Sequence, residues 1–204
     1  MTRYAGIVLA GGRSSRMGRP KAALEWHGAT LVARVSDLLA RVLEGPVAVV
    51  RAPGQELPPL PAGIEVVEDA REARGPLEGI AAGLRAVGGR ADAAYVSATD
   101  TPFLTPSFVR AVCAALDHDV DAAVPIAGGR THPLAAAYRV DLLPLVERLL
   151  ADDRLRAADL VEAIRVRWVS AQELRRADPA LASLRNVNTP EEYAAALAEP
   201  LHER

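Results

Sequence analysis

The sequence is short of cysteine, of long apolar runs and of net charge, and each shortage excludes a class of protein. Its 204 residues hold one cysteine, Cys113, so the chain cannot form an internal disulfide. Val109 and Leu116 share a helical face with Cys113, which predicts a thiol packed in the core rather than a reactive one. No apolar run approaches the ~20 residues of a membrane span, and the first residues lack the pattern of a secretion signal. We therefore expect a cytoplasmic protein with no membrane partner.

Positive charge is not concentrated enough for a nucleic-acid-binding protein. The formal net charge is −2 and the isoelectric point is near 6.1. This balance leaves no electrostatic footprint for a nucleic acid, although a local basic cluster can still bind a small anion. Hydrophobic residues make up 50% of the chain. That proportion suits a well-formed core, and we expect residues 1–204 to form one domain.

Strand-like and helix-like segments alternate along the chain. Buried strands are predicted at 5–9, 47–50, 64–67, 93–98, 122–126, 134–138 and 166–169, and helices at 31–42, 76–87, 106–116, 142–150, 155–164 and after 189. Thr30, Thr105 and Thr189 stand where helix N-caps are needed, the last in a capping box with Glu192. A hairpin is expected at 24–28. The alternation predicts an α/β fold, a three-layer Rossmann-like domain with a mostly parallel sheet.

Lysine is nearly absent: of the 24 basic residues, 23 are Arg and one, Lys21, is Lys. Lys21 ends the stretch LAGGRSSRMGRPK, which begins at Leu9 in the first predicted strand. Glycines in such a loop expose backbone N–H groups to an anion, and a compact ammonium can sit against a phosphate where a planar guanidinium does not fit. The spacing matches neither a Walker A loop nor the dinucleotide-binding fingerprint. A flexible basic turn is the alternative.

Two acidic residues follow predicted strands, at the edge where open α/β sheets bind ligands. Asp100 comes just after the strand 93–98 and is a suitable ligand for Mg²⁺, which takes oxygen ligands and is often shared with substrate phosphates. Asp69 follows the strand 64–67 and could reach the same edge. The alternatives are that Asp100 caps the turn before Pro102 and that Asp69 is a solvated surface charge.

The motif GPLEG at Gly75–Gly79 opens a predicted helix. Pro76 suits a first helical turn, but Gly79 lowers helix stability relative to alanine. Gly79 therefore indicates that something packs close to the backbone at this point.

The chain has two asparagines, Asn186 and Asn188, and they lie two residues apart. Because Thr189 can cap the following helix, both amides are expected to be free to bind a ligand. If residues 184–187 return to the sheet, the amides emerge on the same edge as Asp100. Capping by Asn188 is the alternative.

Taken in order, these motifs resemble those of the molybdenum cofactor guanylyltransferases, the MobA family of nucleotidyltransferases. The resemblance rests on LAGGRSSRMGRPK, GPLEG, Asp100-Thr-Pro, GRTHP at 129–133 and NVNTPEE at 186–192, and covers nearly the whole chain. It implies a nucleotidyltransferase domain that transfers GMP from GTP to the phosphate of Mo-molybdopterin, with Mg²⁺ as cofactor and pyrophosphate as by-product. It also implies transient contact with proteins that supply molybdopterin and with apo-molybdoenzymes.

The resemblance also implies roles for individual residues. The catalytic residues would be Lys21, Asp100 and Arg16, with Asp100 as the metal ligand. The nucleotide contacts would be Leu9, Ala10, Gly11, Gly12, Lys21, Asp69, Gly75, Gly79 and Asp100. The contacts of the second substrate would be Arg130, His132, Asn186 and Asn188, although His132 could equally shape the loop before Pro133.

Two other functions stay open on the sequence. A cytidylyltransferase acting on molybdopterin or another phosphorylated small molecule would share the mechanism and differ in the base. Arg51 bears on this choice, because it stands where the family often has an asparagine near the nucleotide. A carrier that binds nucleotide or pterin without catalysis is the second, and it would need neither Lys21 nor Asp100.

Overall fold

A computed structural model describes residues 2–11, 17, 20–69 and 75–199 of the chain. Its main sheet has eight strands in the order β10-β7-β9-β6-β1-β4-β5, with β8 paired to β7. The strand bounds are β1 Tyr4–Leu9, β2 Glu25–Trp26, β3 Ala29–Thr30, β4 Val47–Arg51, β5 Ile64–Glu68, β6 Ala93–Ala98, β7 Ala122–Ala127, β8 Arg130–Thr131, β9 Ala135–Arg139 and β10 Val166–Ser170. Strands β2 and β3 form a separate hairpin.

The sheet is mixed but mostly parallel, as the alternation of elements predicted. Strands β5, β4, β1 and β6 are parallel neighbours. Strand β9 runs antiparallel to both β6 and β7, so β7, together with its parallel neighbour β10, runs in the direction of β6. The C-terminal ends of these strands therefore lie along one side of the sheet, which we call the carboxyl edge.

Helices cover both faces of the sheet. Their bounds are α1 Leu31–Leu43, α2 Pro76–Val87, α3 Pro106–Ala114, α4 Leu143–Ala151, α5 Ala157–Glu162, α6 Ala171–Leu174 and α7 Pro190–Leu197. Helices α2, α4 and α5 pack on one face and α1, α3 and α6 on the other. Cys113 belongs to the second core, and burial raises the pKa of its thiol to about 12. The prediction of a packed rather than reactive cysteine is thus confirmed. No helix of the described residues is long and apolar enough to cross a membrane.

A third, smaller cluster lies beside the carboxyl edge. Its buried members are Met17, Leu24, Trp26, Leu31, Val187 and Ala196, with Phe103, Tyr193 and Leu197 packed against them. We call it the terminal cluster, because it joins the chain around residue 20 to α7 near the C-terminus. Tyr193 also donates a hydrogen bond from its hydroxyl to the backbone oxygen of Glu25.

Local signals predicted most element boundaries correctly. Thr30 and Thr105 accept hydrogen bonds from Ala33 N and Phe108 N as N-caps. The hairpin at 24–28 turns through His27 and Gly28, both at positive φ (47° and 87°), as a two-residue connection requires. Helix α3 ends at Ala114, earlier than expected, because the next backbone N–H groups bond three residues back.

One conditional expectation was wrong: residues 184–187 do not return to the sheet. Residues Ala182–Leu184 form a 3-10 helix, and the chain then continues outside any strand to Thr189. The segment still reaches the carboxyl edge, because Val187 N donates to Asp100 O at 3.0 Å.

The start of α7 differs from the predicted capping box. Thr189 is the N-cap, and its side chain accepts from Glu192 N. The Glu192 carboxylate accepts from Asn188 N at 2.7 Å rather than from the backbone of the cap residue.

Candidate active site

The loop after β1 runs along the ends of two neighbouring strands. Ala10 N and Gly11 N both donate to Val50 O, at 2.8 and 3.2 Å. A Cβ on Gly11 would lie 3.2 Å from Ala52 N and 3.5 Å from Asp69 Oδ2. A side chain at position 11 would thus be tightly packed where β1, β4 and Asp69 meet, and Leu9–Gly11 and Asp69 share one part of the carboxyl edge.

The start of α2 lies over the same strands. Gly79 faces β1, and a Cβ there would lie 3.0 Å from Leu9 Cδ2. The close packing inferred from this glycine is present, and the neighbour is Leu9. Gly75 has φ 92° and ψ 171°, a region that only glycine adopts readily, and a Cβ would lie 2.7 Å from Leu155 O. Close packing within the fold thus explains both glycines.

The turn that carries Asp100 is fixed by short polar side chains. Thr99 Oγ1 donates to Leu9 O at 2.7 Å and so ties the end of β6 to the end of β1. Thr101 Oγ1 donates to Ala98 O at 3.1 Å. From α1, Arg34 Nε donates to Pro102 O at 2.9 Å. The carboxylate of Asp100 therefore stands on a braced turn at the junction of β1 and β6, beyond the carboxyl ends of the strands.

Lys21 meets Asp100 across 79 residues of sequence, with Lys21 Nζ 2.6 Å from Asp100 Oδ2. Lys21 begins the 3-10 helix Lys21–Ala23, in which Ala22 is buried. The two side chains are 21% and 13% exposed, so solvent screens this ion pair less than one on the open surface. The structure thus brings together the cation and the carboxylate that the sequence singled out.

Both asparagines join this pair, and the expectation that their amides are free was wrong. Asn186 Nδ2 donates to Asp100 Oδ1 at 3.0 Å. Asn188 Oδ1 accepts from Lys21 Nζ at 2.8 Å. The other two amide atoms, Asn186 Oδ1 and Asn188 Nδ2, have no hydrogen-bond partner in the described parts of the chain. Asn188 does not act as the cap of α7, since Thr189 does so.

Arg130 and His132 lie on the β7–β8 hairpin at the carboxyl edge. The hairpin turns through Gly128 and Gly129 at φ 57° and 72°, and its return toward β9 passes beside β6, where Ala98 N donates to Leu134 O. Burial lowers the pKa of His132 below its ordinary value; a bond to the Ala127 backbone opposes this, and the charge of Arg130 adds to it. Neither side chain takes part in the hydrogen bonds described above for Asp100 and Lys21.

Three positions singled out earlier have different outcomes. Arg16 and Gly12 lie outside the described residues. Arg51 makes contacts within the fold, because its guanidinium donates to Gln55 O and to Glu68 Oε1, both at 2.8 Å.

Gln55 is a residue of this edge that the sequence analysis did not predict. Its amide nitrogen donates to Ala10 O and its amide oxygen accepts from Ala52 N, both at 3.0 Å. Nothing in the spacing of Gln55 relative to Ala10 could have revealed a contact made through the fold.

The donor set at Asp100 fits a hard divalent cation. Carboxylate oxygens are the ligands that Mg²⁺ prefers, usually one or two from the protein together with substrate phosphates. Over the described ranges, the one group of three acidic or imidazole ligands is Asp117, His118 and Asp119, all exposed. A metal at the candidate site would therefore depend on few protein ligands and on the bound substrate.

Comparison with known proteins agrees with this geometry. The family model of the MobA-like NTP transferase domain matches residues 6–167. A protein named molybdenum cofactor guanylyltransferase from Desulfosudis oleivorans is 35% identical, with 97% of this chain and 96% of the relative covered. A probable molybdenum cofactor guanylyltransferase from Bacillus anthracis is 33% identical over 96% of both chains.

A solved structure shares the fold. The crystal structure of molybdopterin-guanine dinucleotide biosynthesis protein A from Archaeoglobus fulgidus superposes with a TM-score of 0.77 at 24% identity, covering 94% of this chain and 96% of that one. Members of the family generally use a divalent metal. The extent of the family match and the identity to these relatives over nearly the full chain show that this protein belongs to the MobA-like NTP transferase family.

Proposed function

We propose that this protein transfers GMP from GTP to the terminal phosphate of Mo-molybdopterin, forming molybdopterin guanine dinucleotide and pyrophosphate. The observation that carries the proposal is the Lys21–Asp100 pair at the ends of β1 and β6. It stands in a chain whose relatives, named guanylyltransferases, match it at 33% and 35% identity.

The chemistry brings two anions together. A phosphate oxygen of the pterin attacks the α-phosphorus of GTP, the bond from that phosphorus to the bridging oxygen breaks, and its electron pair leaves with pyrophosphate. The protein need not supply a nucleophile, because positioning and charge neutralisation carry most of the catalysis in such transfers. Lys21 would place its ammonium against the phosphates, with Arg16 at the leaving group. Asp100 would hold Mg²⁺, which when bound adds positive charge across the phosphates.

The remaining site residues are assigned to the nucleotide or to the second substrate by their position along the carboxyl edge. The nucleotide would lie over Leu9–Gly12, Asp69 and the start of α2 at Gly75 and Gly79. The second substrate would lie toward Arg130 and His132, and would also meet the amide atoms of the two asparagines that do not bond Asp100 or Lys21. Asn186 Oδ1 and Asn188 Nδ2 offer one acceptor and one donor for this purpose.

The proposal includes the setting of the reaction. Residues 1–204 would act as one nucleotidyltransferase domain in the cytoplasm, where GTP is available. The product would pass by transient contact to apo-molybdoenzymes, and its precursor would come from molybdopterin-supplying proteins. Neither nucleic acid nor membrane takes part in the proposed reaction.

A nucleotide panel tests this function. Pyrophosphate release is measured with GTP, CTP, ATP and UTP, each with Mg²⁺ and with or without Mo-molybdopterin. We expect release with GTP that requires the pterin and exceeds the other nucleotides by roughly tenfold or more, about 1.4 kcal/mol in transition-state binding. Preference for CTP would move the protein to cytidylyl transfer, and nucleotide binding without any release would favour the carrier.

A further inference from the structure

Each of the two asparagines bonds one member of the Lys21–Asp100 pair: Asn186 bonds Asp100, and Asn188 bonds Lys21. We propose that Asn186 and Asn188 are positioning residues that hold Asp100 and Lys21 in the geometry needed for nucleotidyl transfer. This inference rests on the proposed function for its purpose, but its contacts belong to the protein alone. We call the segment Asn186–Asn188 the asparagine clamp.

The clamp holds Asp100 at two points, one on its carboxylate and one on its backbone. Asn186 Nδ2 donates to Oδ1 at 3.0 Å, while Val187 N donates to the backbone oxygen of Asp100 at the same distance. Lys21 bonds the other carboxylate oxygen. Each oxygen of Asp100 thus has a different partner, and these bonds hold the carboxyl group against rotation. A metal ligand held in one rotamer is ready for its ion without reorganisation.

The clamp holds Lys21 without neutralising it. The lysine stem has four rotatable carbons, and an ammonium on it loses considerable rotamer freedom when it is held in place. Asn188 Oδ1 accepts from Nζ at 2.8 Å. Because an amide oxygen is a neutral acceptor, this bond fixes the ammonium without placing a second negative charge beside it, in addition to that of Asp100. An aspartate at position 188 would also accept from Nζ but would add that second charge, and so would weaken the attraction of Lys21 for an anionic phosphate.

The clamp is itself braced by the C-terminal helix. Val187 is 2% exposed and packs in the terminal cluster, while the asparagines on either side of it bond Asp100 and Lys21. Asn188 N donates to Glu192 Oε2 in the first turn of α7. Arg185 makes a two-pronged ion pair with Glu199 and stacks over Phe103, with its guanidinium 4.4 Å from the ring centre. The end of the chain is therefore anchored on both sides of the clamp.

Lys21 supplies the probe, because it is the chain's single lysine. Protein labelled with ¹³C,¹⁵N-lysine has one side-chain Cε–Nζ signal, which reports Lys21 without substrate or turnover. We expect Asn188→Ala to shift and narrow this signal, as the ammonium loses its amide acceptor and keeps its bond to Asp100. Thr189→Ala is the matched control: it removes the cap of α7 next to the clamp and should leave the signal in place. If Asn188→Ala does not fold, Asn188→Ser serves, since its hydroxyl is too short to reach.

Asp100 is tested through metal binding. Mn²⁺ is titrated by electron paramagnetic resonance in the presence of a GTP analogue with an α,β-methylene bridge, which cannot be cleaved. We expect Asn186→Ala to weaken Mn²⁺ binding roughly tenfold, as loss of a hydrogen bond to a charged group implies. In turnover, both alanine variants should lower kcat more than they raise the KM for Mo-molybdopterin.

Other results would overturn the clamp. An unchanged Lys21 signal in Asn188→Ala, or an equal shift in Thr189→Ala, would show that the bond does not position the ammonium. A raised KM for the pterin with unchanged Mn²⁺ affinity would make the asparagines substrate contacts only. Neither spectroscopic test needs catalysis, so a wild-type protein that fails to release pyrophosphate would reject the proposed function and leave the clamp to be judged by itself.

Discussion

At the scale of single residues, Lys21 has an environment that suits lysine better than arginine. One nitrogen, Nζ, lies 2.6 Å from Asp100 Oδ2 and 2.8 Å from Asn188 Oδ1. A single ammonium can bond two converging acceptors, whereas a guanidinium spreads its donors over a wider, planar fork. The chain uses Arg at every other basic position. This contrast explains why its one lysine stands here.

The environment of Lys21 predicts the effect of replacing it. Lys21→Ala should reduce turnover by 30-fold or more, since a lost phosphate contact costs roughly 2–4 kcal/mol at the transition state. Lys21→Arg should not restore it, because the site needs a compact charge. Pyrophosphate release by each variant is the measurement. Arg41→Ala, which removes an exposed cation paired with Asp37, is the control and should keep full activity. Activity of Lys21→Arg within about twofold of wild type would contradict the argument.

At the scale of elements, the start of α2 shows how packing dictates a motif. Pro76 is readable as a signal for the start of a helix, and Gly79 as a sign of close packing. The φ of Gly75 and its closeness to the loop before α5 are not, because Leu155 lies 80 positions further along the chain. Leu77 N donates to Leu155 O at 3.2 Å, so this loop completes the first turn of α2. The helix therefore begins where a distant carbonyl caps it.

Substitution of Gly75 should expose this constraint. Gly75→Ala combines a positive φ with a contact of 2.7 Å between the new Cβ and Leu155 O. Gly89→Ala is the matched control, since Gly89 also has positive φ (72°) but no atom within 4 Å of the new Cβ. Backbone strain alone costs of order 1–3 kcal/mol in such sparsely populated conformations. Urea unfolding should show a larger loss of stability for Gly75→Ala, and equal losses would mean that the contact relaxes freely.

At the scale of the whole molecule, two hydrogen-bonded carboxylates make folding stability depend on pH, and one of them joins segments 89 residues apart in sequence. Hydrogen bonds from the Arg3 side chain, and then from its backbone, lower the pKa of Asp92 to about 2. The Ser170 hydroxyl and backbone, followed by Arg167, lower that of Glu173 to about 2 as well. These carboxylates stay ionised in the folded protein at pH values where the unfolded chain already binds protons.

This difference predicts the direction of acid sensitivity. Because the folded pKa values are depressed, the stabilisation is present above the ordinary carboxyl range and is lost as pH falls toward about 2. The free energy of unfolding, measured with urea, should therefore decrease between about pH 5 and about pH 3. Asp92→Asn should flatten this dependence. A slope as steep in the variant as in the wild type would show that the Arg3–Asp92 pair contributes nothing.

The sequence by itself determined much of the local structure and predicted which residues form the candidate site. Caps such as Thr30, the turn at His27–Gly28 and the alternation of buried strands with helices depend on neighbours a few residues away, so short patterns predict them. The family motifs likewise singled out Lys21 and Asp100, which the structure brings into contact, and their roles in phosphate and metal binding stay a prediction.

Only the tertiary structure decided how these residues meet. Strand β9 inserts antiparallel between β6 and β7, although the three strands are not consecutive in that order along the chain. Thr99 bonds Leu9, and Arg34 bonds the turn that carries Asp100. All these contacts join positions that are remote in sequence. The asparagines were expected to face a ligand with free amides, yet one half of each amide is bonded to Asp100 or Lys21. The burial of Val187 in the terminal cluster directs them there. That packing depends on side chains from both ends of the chain, and no spacing within a motif records it.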